Sequence, residues 1–245
     1  MQRALALYQS TVGRKAIVAA TGLVLFGFVI QHMVGNLQIF LGPEVFNAYA
    51  AGIKAHPSLV WSVRTLLFVS LIAHIVFSIS LASRNSDARP QDYAKRDDQV
   101  TSYAARTMVW SGPLLAVFIT YHILHLTVGY SPTGHFSHTD VYTNFITGFR
   151  IWWVTAFYVF SQCLLGMHLF HGAWSLTQTF GLDHPRYNKL RRQISTGLAA
   201  LVFAGNVAMP IAVYFHLVGP DDASAETPAI VVDAGTQDAP SPDQH

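Results

Sequence analysis

The chain has 245 residues, of which 51% are hydrophobic and only 11% are charged, so it carries less than half the charge of an ordinary soluble domain. A net charge of +2 gives no reason to expect nucleic-acid binding, and a single cysteine, Cys163, excludes a disulfide framework and a thiolate-held iron–sulfur cluster. The charged residues lie outside the centres of five apolar runs that are long enough to cross a bilayer. The sequence therefore predicts an integral membrane protein.

The five predicted spans are helices, because none of the runs alternates with a period of two. In chain order they cover residues 16–41, 59–81, 107–128, 145–176 and 194–218. The first run is too long for the apolar part of a cleaved signal peptide, so we expect it to stay as an anchor. Residues 1–218 then form one five-helix transmembrane domain.

The basic residues predict the orientation of these spans. Twelve of the fifteen lysines and arginines lie before the first span, between the second and third, or between the fourth and fifth. Only Lys54, Arg64 and Arg150 lie on the other side. By the positive-inside rule the N-terminus is cytoplasmic and the C-terminus is outside. The tail over 219–245 has six acidic residues, no basic ones and several prolines, so we expect it to be solvated.

Histidines are unusually frequent inside the predicted spans. Six of the twelve fall well within the first four spans, where no acidic or basic residue shares their depth: His32, His74, His122, His125, His168 and His171. An ionisable residue inside the membrane marks a functional site by default. A single histidine in the membrane would be explained equally well by an interhelical hydrogen bond. Six histidines over four helices favour a shared ligand.

Helix geometry separates these histidines into two depths. His32 and His122 both lie about 25 Å from the cytoplasmic edge, because helices rise 1.5 Å per residue. His74 lies about 15 Å from that edge, and His168 is six residues before Trp174, a residue type typical of the membrane interface. We therefore expect an outer pair, His32 with His122, and an inner pair, His74 with His168.

An internal similarity supports the outer pair. Residues 21–32 match residues 111–122, with Gly, Leu, Phe and His at identical spacing, which selects His122 over His125 as the partner of His32. The two matched glycines, Gly22 and Gly112, lie at the level of the inner pair, where a residue without a side chain lets a flat ring approach the backbone. Ordinary close packing of helices is the alternative explanation.

Two stacked bis-imidazole sites indicate two b-type haems. A small metal ion would need three or four ligands at one depth, whereas a haem needs only two axial ones. No C-x-x-C-H motif is present, so covalent attachment is excluded. The first four spans are then a haem-binding bundle that transfers electrons, since both axial positions are filled. For the second ring nitrogen of His74, the sequence offers Ser78, one turn further along, as an acceptor.

Several stretches carry a resemblance to a known family. They are residues 10–15, 21–22, 31–33, 106–112, 121–125, 166–175 and 180–187. In their order and spacing the chain resembles the cytochrome b membrane-anchor subunit of bacterial succinate dehydrogenases and fumarate reductases, of the single-subunit, five-helix, di-haem type. The likeness covers about residues 8–215.

The resemblance implies four axial ligands of haem iron: His32, His74, His122 and His168. Gly172 and Trp174 match the family pattern after the fourth ligand and favour His168 over His171. The inner pair would serve the haem nearer the iron–sulfur subunit. Two histidines, His125 and His171, depart from family members that lack histidine there. They would either hydrogen-bond a propionate or a quinone, or simply pack.

The resemblance also implies a three-part enzyme of the respiratory chain and tricarboxylic acid cycle. A flavoprotein subunit with FAD would oxidise succinate, and an iron–sulfur subunit would relay the electrons. This chain would anchor both in the bacterial cytoplasmic membrane and pass electrons to a membrane quinone. It would carry no catalytic residue for succinate itself.

Four residues near the predicted cytoplasmic interface are candidates for holding a quinone or a haem propionate: Arg106, Trp110, Ser111 and Trp174. An interfacial arginine or tryptophan is equally typical of a membrane anchor without a ligand.

Three other functions remain open at this point. A di-haem anchor of a quinol:fumarate reductase, or of another dehydrogenase such as a hydrogenase or formate dehydrogenase, would have the same histidine pattern. A haem-free anchor would use its histidines structurally or for protons. The lack of carboxylates within the spans argues against a proton-coupled transporter.

Overall fold

The chain is helical throughout the part that the structure describes. The computed structural model covers residues 10–87, 103–134 and 136–220, and at 86–87 and 103–106 it describes the backbone alone. The structure is 85% helical, and no strand occurs within those ranges. Among the described residues, five helices are long and apolar enough to cross a membrane. The predicted all-α, multi-pass membrane architecture is therefore confirmed.

Seven α-helices follow one another in the part of the chain that the structure describes. They are α1 (Thr11–Asn36), which continues as a 3₁₀ turn over Leu37–Leu41, α2 (Pro43–Lys54), α3 (Pro57–Asp87), α4 (Tyr103–Ile123), which continues as a π-helical turn over Leu124–Val128, α5 (Val141–Phe149), α6 (Trp152–Thr179) and, after a 3₁₀ turn over Pro185–Tyr187, α7 (Asn188–Tyr214). The candidate spans are α1, α3, α4, α6 and α7. Helices α2 and α5 are too short to cross a bilayer.

The fourth predicted span is wrong at its start. The sequence predicts one run over 145–176, but α5 ends at Phe149 and α6 begins only at Trp152. Between them Ile151 is extended, and the hydroxyl of Thr155 donates a hydrogen bond to the Phe149 carbonyl at 2.6 Å. Arg150, the C-cap of α5, stands at this break with apolar stretches on both sides, and the predicted span ran across it.

The spanning helices pack against one another in a defined order. Helix α1 packs against α3, α4 packs against α6, and α1 also contacts α6, so the order around the bundle is α3, α1, α6, α4. Helix α7 packs on α6 and α1. Across the two diagonals, α1 to α4 and α3 to α6, backbone contact is at most marginal within the described ranges. Contacts across these diagonals are therefore made by side chains rather than by closely packed backbones.

A cluster of large apolar side chains closes one end of the bundle. It is built mainly from α2, α5, α6 and α7 and includes Phe46, Phe145, Phe149 and Val213. The two short helices are tied together by Asn47, whose side chain donates to Asp140 and accepts from the backbone N–H of Tyr142, both at 3.0 Å. This end carries the loops that the basic residues predict to face outside.

Candidate functional site

The outer pair meets across the diagonal between α1 and α4. The ring centroids of His32 and His122 are 5.6 Å apart, with an angle of 87° between the ring planes. The side-chain amide of Asn36 donates a hydrogen bond to Nε2 of His32 at 3.0 Å. Nδ1 of His122 is buried and has no hydrogen-bond partner within the described part of the chain.

The inner pair meets across the other diagonal, between α3 and α6. The ring centroids of His74 and His168 are 6.2 Å apart, and their planes are 57° apart. Nδ1 of His168 is buried without a partner among the described residues, as in His122. The structure therefore brings together the histidines that the sequence paired, and their role as metal ligands stays a prediction.

The partner of His74 differs from the predicted one. Nδ1 of His74 lies 3.2 Å from the carbonyl oxygen of Val18 and 3.2 Å from the hydroxyl of Thr21. The prediction of Ser78 as the acceptor is wrong. Ser78 is on the same helix as His74, whereas both acceptors belong to α1, which packs directly against α3.

The two pairs lie at different levels along α1. A Cβ atom added to Gly22 would lie 3.2 Å from Cε1 of His74, so Gly22 marks the level of the inner pair. His32 is ten residues further along the same helix, which is about 15 Å. Gly22 therefore allows the close approach of a ring, and here that ring is the imidazole of His74.

The ring separation within each pair is that of two imidazole ligands of one metal ion, although in this structure Asn36 engages the Nε2 lone pair of His32. An imidazole nitrogen binds a first-row metal at about 2 Å, so two rings on opposite sides of one ion have centroids roughly 6 Å apart. Within the described residues no three histidine, cysteine, aspartate or glutamate side chains form a group that could hold a metal ion. Each pair thus offers two ligands, and a porphyrin would have to supply the other four. At Gly112, the second glycine at which the sequence predicted the approach of a ring, an added Cβ atom would meet no described atom within 4 Å.

His125 is a packed residue rather than a third member of the outer pair. It is 2% exposed, and its Nδ1 is hydrogen-bonded to the hydroxyl of Tyr158 at 3.0 Å. The ring of Tyr121 stacks on it, and a Cβ atom added to Gly148 would lie 2.7 Å from its Nε2. His171 is half-buried on α6, three residues after His168, and belongs to neither pair.

The four candidates for a quinone or propionate do not form one cluster among the described side chains. Trp110 is 74% exposed, whereas its neighbour Ser111 is 1% exposed, so Trp110 faces outward and Ser111 faces the interior of the bundle. Trp174 lies on α6 against Arg191. The side chain of Arg106 lies outside the described part of the chain. Their role in binding stays a prediction.

Arg191 is a buried charge that the sequence did not single out. Its guanidinium lies over the ring of Trp174 at 4.4 Å, and its Nε and one terminal nitrogen donate to Thr177 and Asn188, both at 2.9 Å. Cation–π contacts and bonds to neutral oxygens therefore hold this side chain between α6 and α7. In the sequence it is only one of four basic residues in the same loop.

Comparisons with protein-family models, with curated proteins and with solved structures found no match. The function is therefore argued from the residues of this chain.

Proposed function

We propose that this chain is the di-haem cytochrome b membrane anchor of a succinate:quinone oxidoreductase. The observation that carries the proposal is the pairing of four histidines across the two diagonals of a bundle of spanning helices, at two levels about 15 Å apart. A haem with two axial imidazoles supplies one-electron transfer and leaves no open position for oxygen or substrate.

The residues of this chain would do three things for such a group. Each histidine pair would hold one such group between the two helices that carry it. The Nδ1 atoms of His122 and His168 have no hydrogen-bond partner among the described residues, and a neutral imidazole keeps one ring nitrogen with a lone pair for a metal. The apolar helices around them exclude water and lower the local dielectric.

The partners of the proposed complex follow from the resemblance. A flavoprotein subunit with FAD and an iron–sulfur subunit would dock at the end that is rich in basic residues, next to the inner pair. Electrons would then cross the membrane level by level, from the inner pair to the outer pair, and a membrane quinone would accept them. The resemblance supports these partners and this path of electrons, and the two levels of histidine pairs are compatible with them.

The test is purification of the complete complex from the native membrane. Acid–acetone extraction should release two protohaems per copy of this chain, and the co-purifying proteins should include a flavoprotein and an iron–sulfur protein. Succinate should then reduce the haems in a reduced-minus-oxidised spectrum. One haem or none would overturn the di-haem assignment. Two haems with the subunits of a hydrogenase or formate dehydrogenase would keep the cytochrome and overturn the succinate assignment.

A further inference from the structure

The imidazole of His74 is the one paired ring that a neighbouring helix holds by its Nδ1 atom within the described part of the chain. Two oxygens of α1, the Val18 carbonyl and the Thr21 hydroxyl, lie 3.2 Å from that atom. The backbone at Gly22 packs against the same ring. Among the described residues, Nδ1 of His122 and Nδ1 of His168 have no such partner.

These contacts fix the tautomer of His74. A carbonyl oxygen can only accept a hydrogen bond, so Nδ1 must carry the proton when it bonds to Val18. The hydroxyl of Thr21 donates its own proton to the Ile17 carbonyl at 2.7 Å, which leaves its oxygen as a second acceptor for Nδ1–H. Nε2 of His74 is therefore the nitrogen with the free lone pair.

We propose that Thr21 is a positioning residue for the inner site, which keeps His74 as an Nε2 ligand and makes its imidazole a stronger electron donor to iron. This inference rests on the proposed di-haem function. A hydrogen bond from the non-ligating nitrogen raises the basicity of a histidine ligand. Greater basicity favours ferric over ferrous iron, so Thr21 lowers the reduction potential of the inner haem and leaves that of the outer haem unchanged.

The experiment uses Thr21→Val in the complete complex. Valine has nearly the same shape but no acceptor, so Nδ1–H keeps only the Val18 carbonyl. The conservative variant Thr21→Ser keeps the hydroxyl. The matched control is Thr120→Val on α4, because the Thr120 hydroxyl makes the same intrahelical bond, to Ala116 at 2.9 Å, on an exposed face. If Thr21→Val does not accumulate, Thr21→Ala removes the same acceptor with a smaller side chain.

The readout is a spectroscopic redox titration that resolves the two haem components. We expect Thr21→Val to shift one midpoint potential upward, Thr21→Ser to restore it, and Thr120→Val to shift neither. The shifted component should be the one that His74→Ala abolishes. Two haems with no shift in Thr21→Val, or an equal shift of both, would overturn the role of Thr21 alone. A wild-type complex without haem would overturn the proposed function and this role with it.

Discussion

The imidazole of His32 stands edge-on to that of His122, with 5.6 Å between the ring centroids, although the helices that carry them barely touch. A contact of this kind places two potential ligands at the centre of the bundle rather than at a helix–helix seam. The rings of His74 and His168 also meet across a diagonal, at 6.2 Å between centroids and with 57° between their planes. It makes the four histidines the first targets for mutation.

Single alanine variants of the four histidines should divide into two classes. His32→Ala and His122→Ala should both abolish one low-spin b-type component, and His74→Ala and His168→Ala the other, because each variant removes one of two axial ligands. Potential-controlled spectra of membranes provide the measurement. His171→Ala is the control and should keep both components. Loss of the same component in His32→Ala and His74→Ala would contradict the two-level arrangement.

A methyl group at Gly22 should disturb the inner site alone. The added Cβ would lie 3.2 Å from Cε1 of His74, which is closer than an ordinary contact, so the ring must move. We expect Gly22→Ala to change the spectrum and potential of the component that His74 supports. Gly27→Ala is matched to it, on the same helix, with nothing within 4 Å of the added atom. Equal spectra for the two variants would show that the ring approach at Gly22 does not matter.

The orientation of the chain can be tested by cysteine labelling in sealed vesicles, after Cys163 has been replaced by serine. The imbalance of basic residues predicts that the segments over 84–106 and 183–193 are cytoplasmic. Single cysteines placed there should react with an impermeant reagent only from the cytoplasmic side. Reaction of both from the outside would reverse the orientation and exchange the depths of the two pairs.

Much of this arrangement was predictable because it depends on distances along helices. The levels of His32 and His74 follow from a rise of 1.5 Å per residue counted from basic boundaries, and neither needs knowledge of packing. The acceptor for His74 was not predictable in the same way. Ser78 was chosen because it lies one turn away on the same helix, but Val18 and Thr21 become neighbours only through the rotation of α1 against α3.

Two other features were not predicted from the sequence, for different physical reasons. The break between α5 and α6 falls at Arg150, a single charged residue between two apolar stretches, and averaging hydropathy over a window merges those stretches into one span. The contact of Arg191 with Trp174 depends on how two helices of a hairpin face each other. The spacing of residues along the chain does not show which side of each helix meets the other.

The hydrogen bond between Tyr158 and His125 should matter for stability rather than for electron transfer. Tyr158→Phe leaves a buried nitrogen of His125 without its partner, which costs about 1–3 kcal/mol of unfolding free energy. Both haem components should remain. Denaturant unfolding of the purified complex in detergent measures the loss, with Tyr130→Phe, at a side chain that is 78% exposed, as the control. Loss of a haem component in Tyr158→Phe would assign it a role beyond packing.

Arg191 should stabilise the hairpin of α6 and α7 far more than its neighbour Arg192. Arg191→Ala removes two hydrogen bonds at 2.9 Å and the contact with Trp174, so we expect a loss of about 2 kcal/mol or more. Arg192 is exposed, and Arg192→Ala should have little effect. Thermal unfolding of the two variants side by side decides this. Equal melting temperatures would mean that burial of Arg191 contributes nothing net.

The diagonal pairing also sets an order for making the protein. Each pair joins one of the first two spanning helices to one of the next two, because His32 pairs with His122 on α4 and His74 pairs with His168 on α6. The outer pair is complete as soon as α4 has been synthesised and inserted. The inner pair must wait until the ribosome has delivered α6, so a nascent chain that stalls between the two helices holds one finished site and one orphaned histidine.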